Sequence, residues 1–184
     1  MDEVAICNAA LYAIGATPID NFDESTDAAR ICKARWPKIR DAVLRAHKWN
    51  CATRRAELAR LAAAPAFGWS YQYQLPVDCV RVLEMSEDVS FLVENGVLLT
   101  DNSTAKIKYI SNGQPAGDLL SDALLDEAFA ARMAAELAVS LKQSKALHEQ
   151  MLTTYGMKIS EAAGIDGMEG TPADTSDDTL IADR

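Results

Sequence analysis

Histidine and cysteine are scarce in this sequence and poorly spaced for chemistry. Only two histidines occur, His47 and His148, and the four cysteines (Cys7, Cys32, Cys51, Cys79) form no CxxC pair. A zinc site needs Cys and His ligands in recognisable clusters, so no metal site is assigned. The thiols lie among apolar or aromatic neighbours and read as small buried hydrophobes of a reducing compartment, not as disulfides. Phosphate-binding glycine loops, GxSxG and HExxH are all missing. No cofactor-binding or catalytic residue is therefore assigned. One residual pair is worth stating: His47 and Cys51, four residues apart on a helix, would bring a base to a nucleophile. The simpler reading of His47 is a helix end, where a cation is favoured and the ring can cap carbonyls.

Long apolar runs are also lacking. No stretch approaches the roughly 18 residues that span a bilayer, and Met1-Asp2-Glu3 has no basic segment of the kind that opens a signal peptide. The expectation is a protein made in a cytoplasm-like compartment, with no membrane partner.

What is present is a core of ordinary size. Of 184 residues, 49% are apolar and 24% charged, enough for one domain with an inserted subdomain. Alanine is abundant and aromatics are only 7%, which favours closely approaching helices. The net charge of −9 hides an asymmetry. Residues 1–29 contain Asp2, Glu3, Asp20, Asp23, Glu24 and Asp27 and no cation. The segment 30–60 follows with Arg30, Lys33, Arg35, Lys38, Arg40, Arg45, Lys48, Arg54, Arg55 and Arg60 against Asp41 and Glu57. Beyond Gly117 the balance turns acidic again. Such alternation suits charge-complementary packing between subunits.

Hydrophobic spacing predicts a helix over 3–14 (Val4, Cys7, Leu11, Ile14) with Gly15 as its terminating glycine. A second helix is predicted over about 26–46, capped by Ser25 or Asp23. Ala28, Cys32, Trp36, Ile39 and Val43 share one face, and the cations fall mainly on the opposite one. Pro37 predicts a kink there, or two helices in sequence. Residues 50–68 show no defined period. Alternation then takes over: Trp69, Tyr71, Tyr73 and Leu75 make one strand, Val80–Leu83 a second, and Asn95-Gly96 joins Phe91–Glu94 to Val97–Thr100 as a hairpin. Ile107 and Tyr109 mark a last strand. Helical periods return over about 118–142 and 144–163.

The predicted fold is α+β and mainly α: a helical bundle (1–66 and 112–163) with an inserted small antiparallel β-meander (67–111). An acidic tail, 164–184, is too polar to bury and reads as disordered. The basic segment has three readings: a solvated helix face, a nucleic-acid-binding module, or contact with an acidic protein surface such as Asp20–Asp27 or Asp118–Glu127 of another copy. Net negative charge disfavours dedicated duplex binding. Trp36 belongs to the core, whereas Trp49, after a cationic helix end, suits either core or interface.

The order of several words resembles the phage tail tubular protein A family, the head-to-tail adaptors or gatekeepers of short-tailed phages and prophages. They are ICNAAL (6–11) with IGA (14–16), AARIC (28–32), WPKIRD (36–41), LRAHKWN (44–50), PAFGWSYQYQLPVDCVRV (65–82) and AARMAAELA (130–138). The similarity covers about 1–163. It implies a ring subunit, typically of a dodecamer, located in the virion tail between portal protein and tail nozzle protein. Such a ring lines the exit channel and helps retain double-stranded DNA, which passes without sequence specificity. The family's pattern is structural and supplies no catalytic residue. The candidate contacts to neighbour, portal or DNA are Arg30, Lys33, Lys38, Arg40, Arg45, Trp49, Arg54 and Arg55.

Overall fold

Asp2 opens the first helix, α1 (Glu3–Ala13), by accepting from the N–H groups of Val4 and Ala5 at 3.0 and 3.3 Å. Gly15 closes it. At φ +65° it takes the left-handed conformation that glycine adopts without strain. There the N–H of Ala16 reaches back to the Leu11 carbonyl and that of Gly15 to Tyr12, the paired bonds of a Schellman motif. The computed structural model describes residues 2–86, 89–114 and 122–169.

The second helix, α2 (Asp27–Ala46), is capped by Thr26 and not by Ser25 or Asp23: the Thr26 hydroxyl accepts from Ala29 N–H at 3.2 Å. It runs through Pro37 as one element instead of two. Pro37 lies on the exposed face, where water can satisfy the carbonyl that loses its partner. Cys32, Trp36, Ile39 and Val43 on the other side are buried, and their packing outweighs the local cost. Trp36 meets Phe129 edge-on, ring centroids 5.4 Å apart, a contact that adds about 0.5–1.5 kcal/mol beyond area burial.

Helices α3 (Ala123–Lys142) and α4 (Lys145–Asp166) form an antiparallel hairpin through Gln143 and Ser144. Helix α3 packs against α1, α2 and α4. Its Ala128, Ala131, Ala134, Ala135 and Ala138 are buried beside Phe129, Met133 and Leu137, and these small residues let the helices approach closely. Helix α4 continues to Asp166, past the expected boundary at 163. The rest of the expected acidic tail, residues 170–184, lies outside the described residues, as do Asp118 and Leu120.

The strands are β1 (Thr53–Glu57), β2 (Tyr71–Gln74), β3 (Cys79–Met85), β4 (Phe91–Glu94), β5 (Val97–Thr100) and β6 (Lys106–Ser111). The chain is thus α+β and predominantly helical with a small antiparallel β insertion, as the sequence predicts. The strands do not follow one another in a single meander, however. They make two three-stranded sheets, ordered β1-β6-β3 and β2-β5-β4. Strand β1 lies in the stretch without a clear period. Its sequence, TRRAE, is polar because it is an edge strand, and it begins the β region at Thr53, ahead of 67. The Asn95-Gly96 hairpin forms as expected, with φ +46° and +77° at the two turn residues.

Strand β6 joins two cores. Ile110 packs with the helices, while Ile107 and Tyr109 pack with Tyr73, Leu75, Leu98 and Met85 between the sheets. Its neighbour β3 carries two bulges, between Cys79 and Arg81 and between Val82 and Glu84. The extra residues, Val80 and Leu83, both pack on the helical core. The bulges let one strand serve both cores, because each resets the two-residue alternation.

Asp126, in the first turn of α3, carries a buried Oδ1 without a hydrogen-bond partner. Burial, reinforced by Asp122, pushes its carboxyl up to about 6. A raised pKa means that the native state holds this proton between about pH 4 and 6 while the unfolded chain has lost it. Stability from this group is therefore present at low pH and declines as pH rises through 6. Asp126→Asn is expected to raise stability by about 1 kcal/mol at pH 7, the full shift being discounted for partial exposure, and to add nothing at pH 4. Urea titrations at the two pH values check this.

Candidate functional site

The basic segment spans α2, the corner at 47–52 and β1, and intramolecular partners engage much of it. Arg30 pairs with Asp27 one turn earlier. Lys33 meets Asp23 at 2.6 Å, and the hydrogen bond and charge of Lys33 hold that carboxyl below its ordinary value. Both pairs are well exposed and contribute little to stability. Lys38 and Arg35 are exposed and have no ion-pair partner among the described residues.

Arg40 departs from expectation. It is buried, 7% exposed, instead of lying on the cationic outer face. Its Nε reaches Asp41 at 3.0 Å and its Nη1 reaches Glu3 at 3.6 Å. Position 40 follows Ile39 and Trp36 toward the core closely enough for its aliphatic stem to be covered while the head meets carboxylates at the rim. Arg40→Ala is expected to destabilise the fold by about 1–2 kcal/mol, through lost packing and charge-assisted bonds. Thermal unfolding measures it, and an unchanged midpoint would return Arg40 to the surface set.

Trp49 is likewise core and not interface, at 1% exposed. Its indole N–H donates to the Val43 carbonyl at 3.2 Å, one of the last carbonyls of α2 that lack a helical partner. Arg45 remains exposed and donates from Nη1 to the Val80 carbonyl at 2.7 Å. Arg54 and Arg55 sit side by side on β1 and so face opposite ways. Arg54 is half-buried opposite Tyr109; Arg55 is exposed opposite Lys108. Lys108 in turn meets Glu84 at 3.4 Å, and with Glu57 and Lys106 these residues line an open cleft of about 310 Å³.

The helix end at His47 is held from a distance in sequence. His47 is the C-cap residue of α2, in extended conformation. Its Nε2 lies 3.1 Å from Asp166 Oδ2, and its ring stacks edge-on with Trp49 at 4.7 Å. The other oxygen of Asp166 accepts from Asn50 N–H at 2.8 Å, and the Asp166 carbonyl accepts from Asn50 Nδ2 at 2.8 Å. Cys51 has no such bond to His47 among the described residues. Cys51 is exposed at the surface, but protein packed around its base, with Asp122 and Asp166 nearby, pushes its thiol up to about 11. A thiol so shifted is almost wholly protonated at neutral pH and a poor nucleophile. The arrangement is a clamp: a buried carboxylate ties the end of α4 to the turn between α2 and β1.

Asp166 and Arg81 are the residues the sequence reading missed. Asp166 follows Gly164 in a stretch that looked like the start of a polar tail, and Arg81 lies inside the strand predicted at Val80–Leu83 without a role of its own. Only the bulge before Arg81 and the approach of α4 to the corner reveal them. Among the described residues there is no cluster of metal-binding side chains, and no helix is long and apolar enough to cross a membrane. The sequence matches no protein-family model, and no curated protein is significantly similar to it.

Proposed function

We propose that the chain is a structural subunit of a phage head-to-tail adaptor ring, seated between portal protein and tail nozzle protein around the DNA channel, and that it is not an enzyme. The observation that carries this reading is the ordered set of family-like words across 1–163. Its support is architectural: helices precede and follow an antiparallel β insertion, which is the arrangement the resemblance implies. The charge pattern agrees. The exposed outer side of α2 offers Arg30, Lys33, Arg35 and Lys38, and the acidic N-terminal segment supplies complementary charge on an adjoining copy.

The alternative use of 30–60, as a nucleic-acid-binding module, has fewer cations at its disposal. Arg40 is buried, and the net charge of −9 opposes approach to a polyanion. DNA affinity of the isolated chain is expected to be weak and to vanish as salt approaches physiological strength. Mixing the chain with its portal protein is expected to give a co-migrating high-mass ring on size exclusion. Tight DNA binding at physiological salt, with a steep salt slope and no portal association, would reverse the two readings.

A further inference from the structure

The first bulge of β3 does more than bring Val80 to the helices. It frees the Val80 carbonyl to take the Arg45 bond, and it places Arg81 beside the same spot. Arg45 from α2 and Arg81 from β3 line one cleft of about 290 Å³. Its remaining walls are mostly apolar, among them Leu75, Val82 and, from the β4–β5 hairpin, Val93 and Gly96. Among the described residues no carboxylate lines it. Asp78, next to Cys79 in the chain, is turned away to hydroxyls, accepting from Ser111 at 2.5 Å and from Tyr109 at 3.3 Å. The Arg81 side chain has no hydrogen bond or ion pair among the described residues, and its Nε is buried without an acceptor. A buried donor on a cation is costly to leave unmade. Two guanidinium groups in an apolar setting, one of them unsatisfied, are the chemistry of a site for a carboxylate flanked by apolar groups.

We propose that this cleft is a carboxylate-binding site and that it takes the chain's own C-terminal segment, Asp177–Asp183, within the same molecule. That segment reads DDTLIAD, aspartates on either side of Leu180 and Ile181, so it carries both the charge and the apolar groups the cleft would receive. It also starts in the right place. The Asp166 clamp holds the end of α4 to His47 and Asn50, two to five residues along the chain from Arg45. Eight residues along the chain separate Glu169 from Asp177, and at about 3.3 Å per extended residue they can reach about 26 Å from the end of α4. The proposal does not depend on the adaptor reading.

Hydrogen exchange of the full-length protein tests it. Amides of 177–183 are expected to be protected about tenfold or more over a free peptide. Arg81→Gln and, separately, the triple change Asp177→Asn, Asp178→Asn, Asp183→Asn are each expected to abolish that protection while leaving α3 and α4 protected, so misfolding is excluded. Protection should be unchanged by tenfold dilution. Amides of 177–183 exchanging as freely as a peptide in the wild-type protein would overturn the proposal. So would protection insensitive to Arg81→Gln, or protection lost on dilution, which would assign the segment to another copy.

Discussion

Trp49→Ala is expected to cost about 3–5 kcal/mol, the largest effect of any single change outside the helix hairpin. The indole is 1% exposed and belongs to the helical core, so truncation opens a cavity at the junction of α2 and β1. It also strands the Val43 carbonyl, which takes the indole N–H. Because a domain of this size is stable by only about 5–15 kcal/mol, the variant should unfold at much lower urea and populate unfolded chain at modest temperature. Trp49→Phe separates the contributions: it keeps most of the packing, loses the hydrogen bond, and should cost about 1–2 kcal/mol. A cost below about 1 kcal/mol for Trp49→Ala would mean that the corner is not part of the core.

Asp166→Ala is expected to cost about 2–3 kcal/mol, because it removes the acceptor of the Asn50 N–H and the partner of His47 together. Loss of one acceptor leaves a part-buried donor unsatisfied, whereas loss of the exposed ion pairs at Arg30 or Lys33 leaves nothing buried. The consequence should also be local. Helix α4 would fray from its C-terminal turn, visible as faster amide exchange over the last residues before Glu169, while α3 stays protected. A double-mutant cycle with His47→Ala should show coupling of about 1 kcal/mol, since the two share one contact. Additive effects would show that the clamp does not exist in solution.

The elements governed by local chemistry were readable from the residues. Gly15 ends α1 because a left-handed position after a helix selects glycine, and Asn95-Gly96 turns a hairpin because both turn residues need positive φ. The apolar stripe Cys32, Trp36, Ile39, Val43 is on the buried face of α2 because four-residue spacing has only one geometric meaning on a helix. What was not readable depends on partners remote in sequence. Strand β1 has too few apolar residues to announce itself, and its pairing with β6 is set by residues 49 to 57 positions away. Arg40 looked like one more cation on an outer face, but the face boundary falls between Arg40 and Lys38, where Glu3 of α1 meets the guanidinium. Trp49 could be core or contact until α2's frayed carbonyls gave its N–H an acceptor. Asp166 became legible only when α4 was seen to reach the α2–β1 corner. Arg81 required the bulge.

These distinctions narrow the proposed interaction surface. Of the eight cationic or aromatic residues proposed as contacts, Arg40 and Trp49 belong to the interior, and Arg45 joins Arg81 at the cleft. Arg30, Lys33 and Lys38 on the outside of α2, with Arg55 on the open face of β1, are the ones available to a neighbour. Charge reversal at Lys33 and Lys38 should therefore impair assembly without changing the fold.

A reconstruction of the chain assembled on its portal protein is the most direct examination of the whole account. It should show a closed ring in which the outer side of α2, at Lys33 and Lys38, meets acidic residues of the adjoining subunit or of the portal. A chain that stays monomeric beside the portal, or a ring in which that side of α2 faces only solvent, would contradict it.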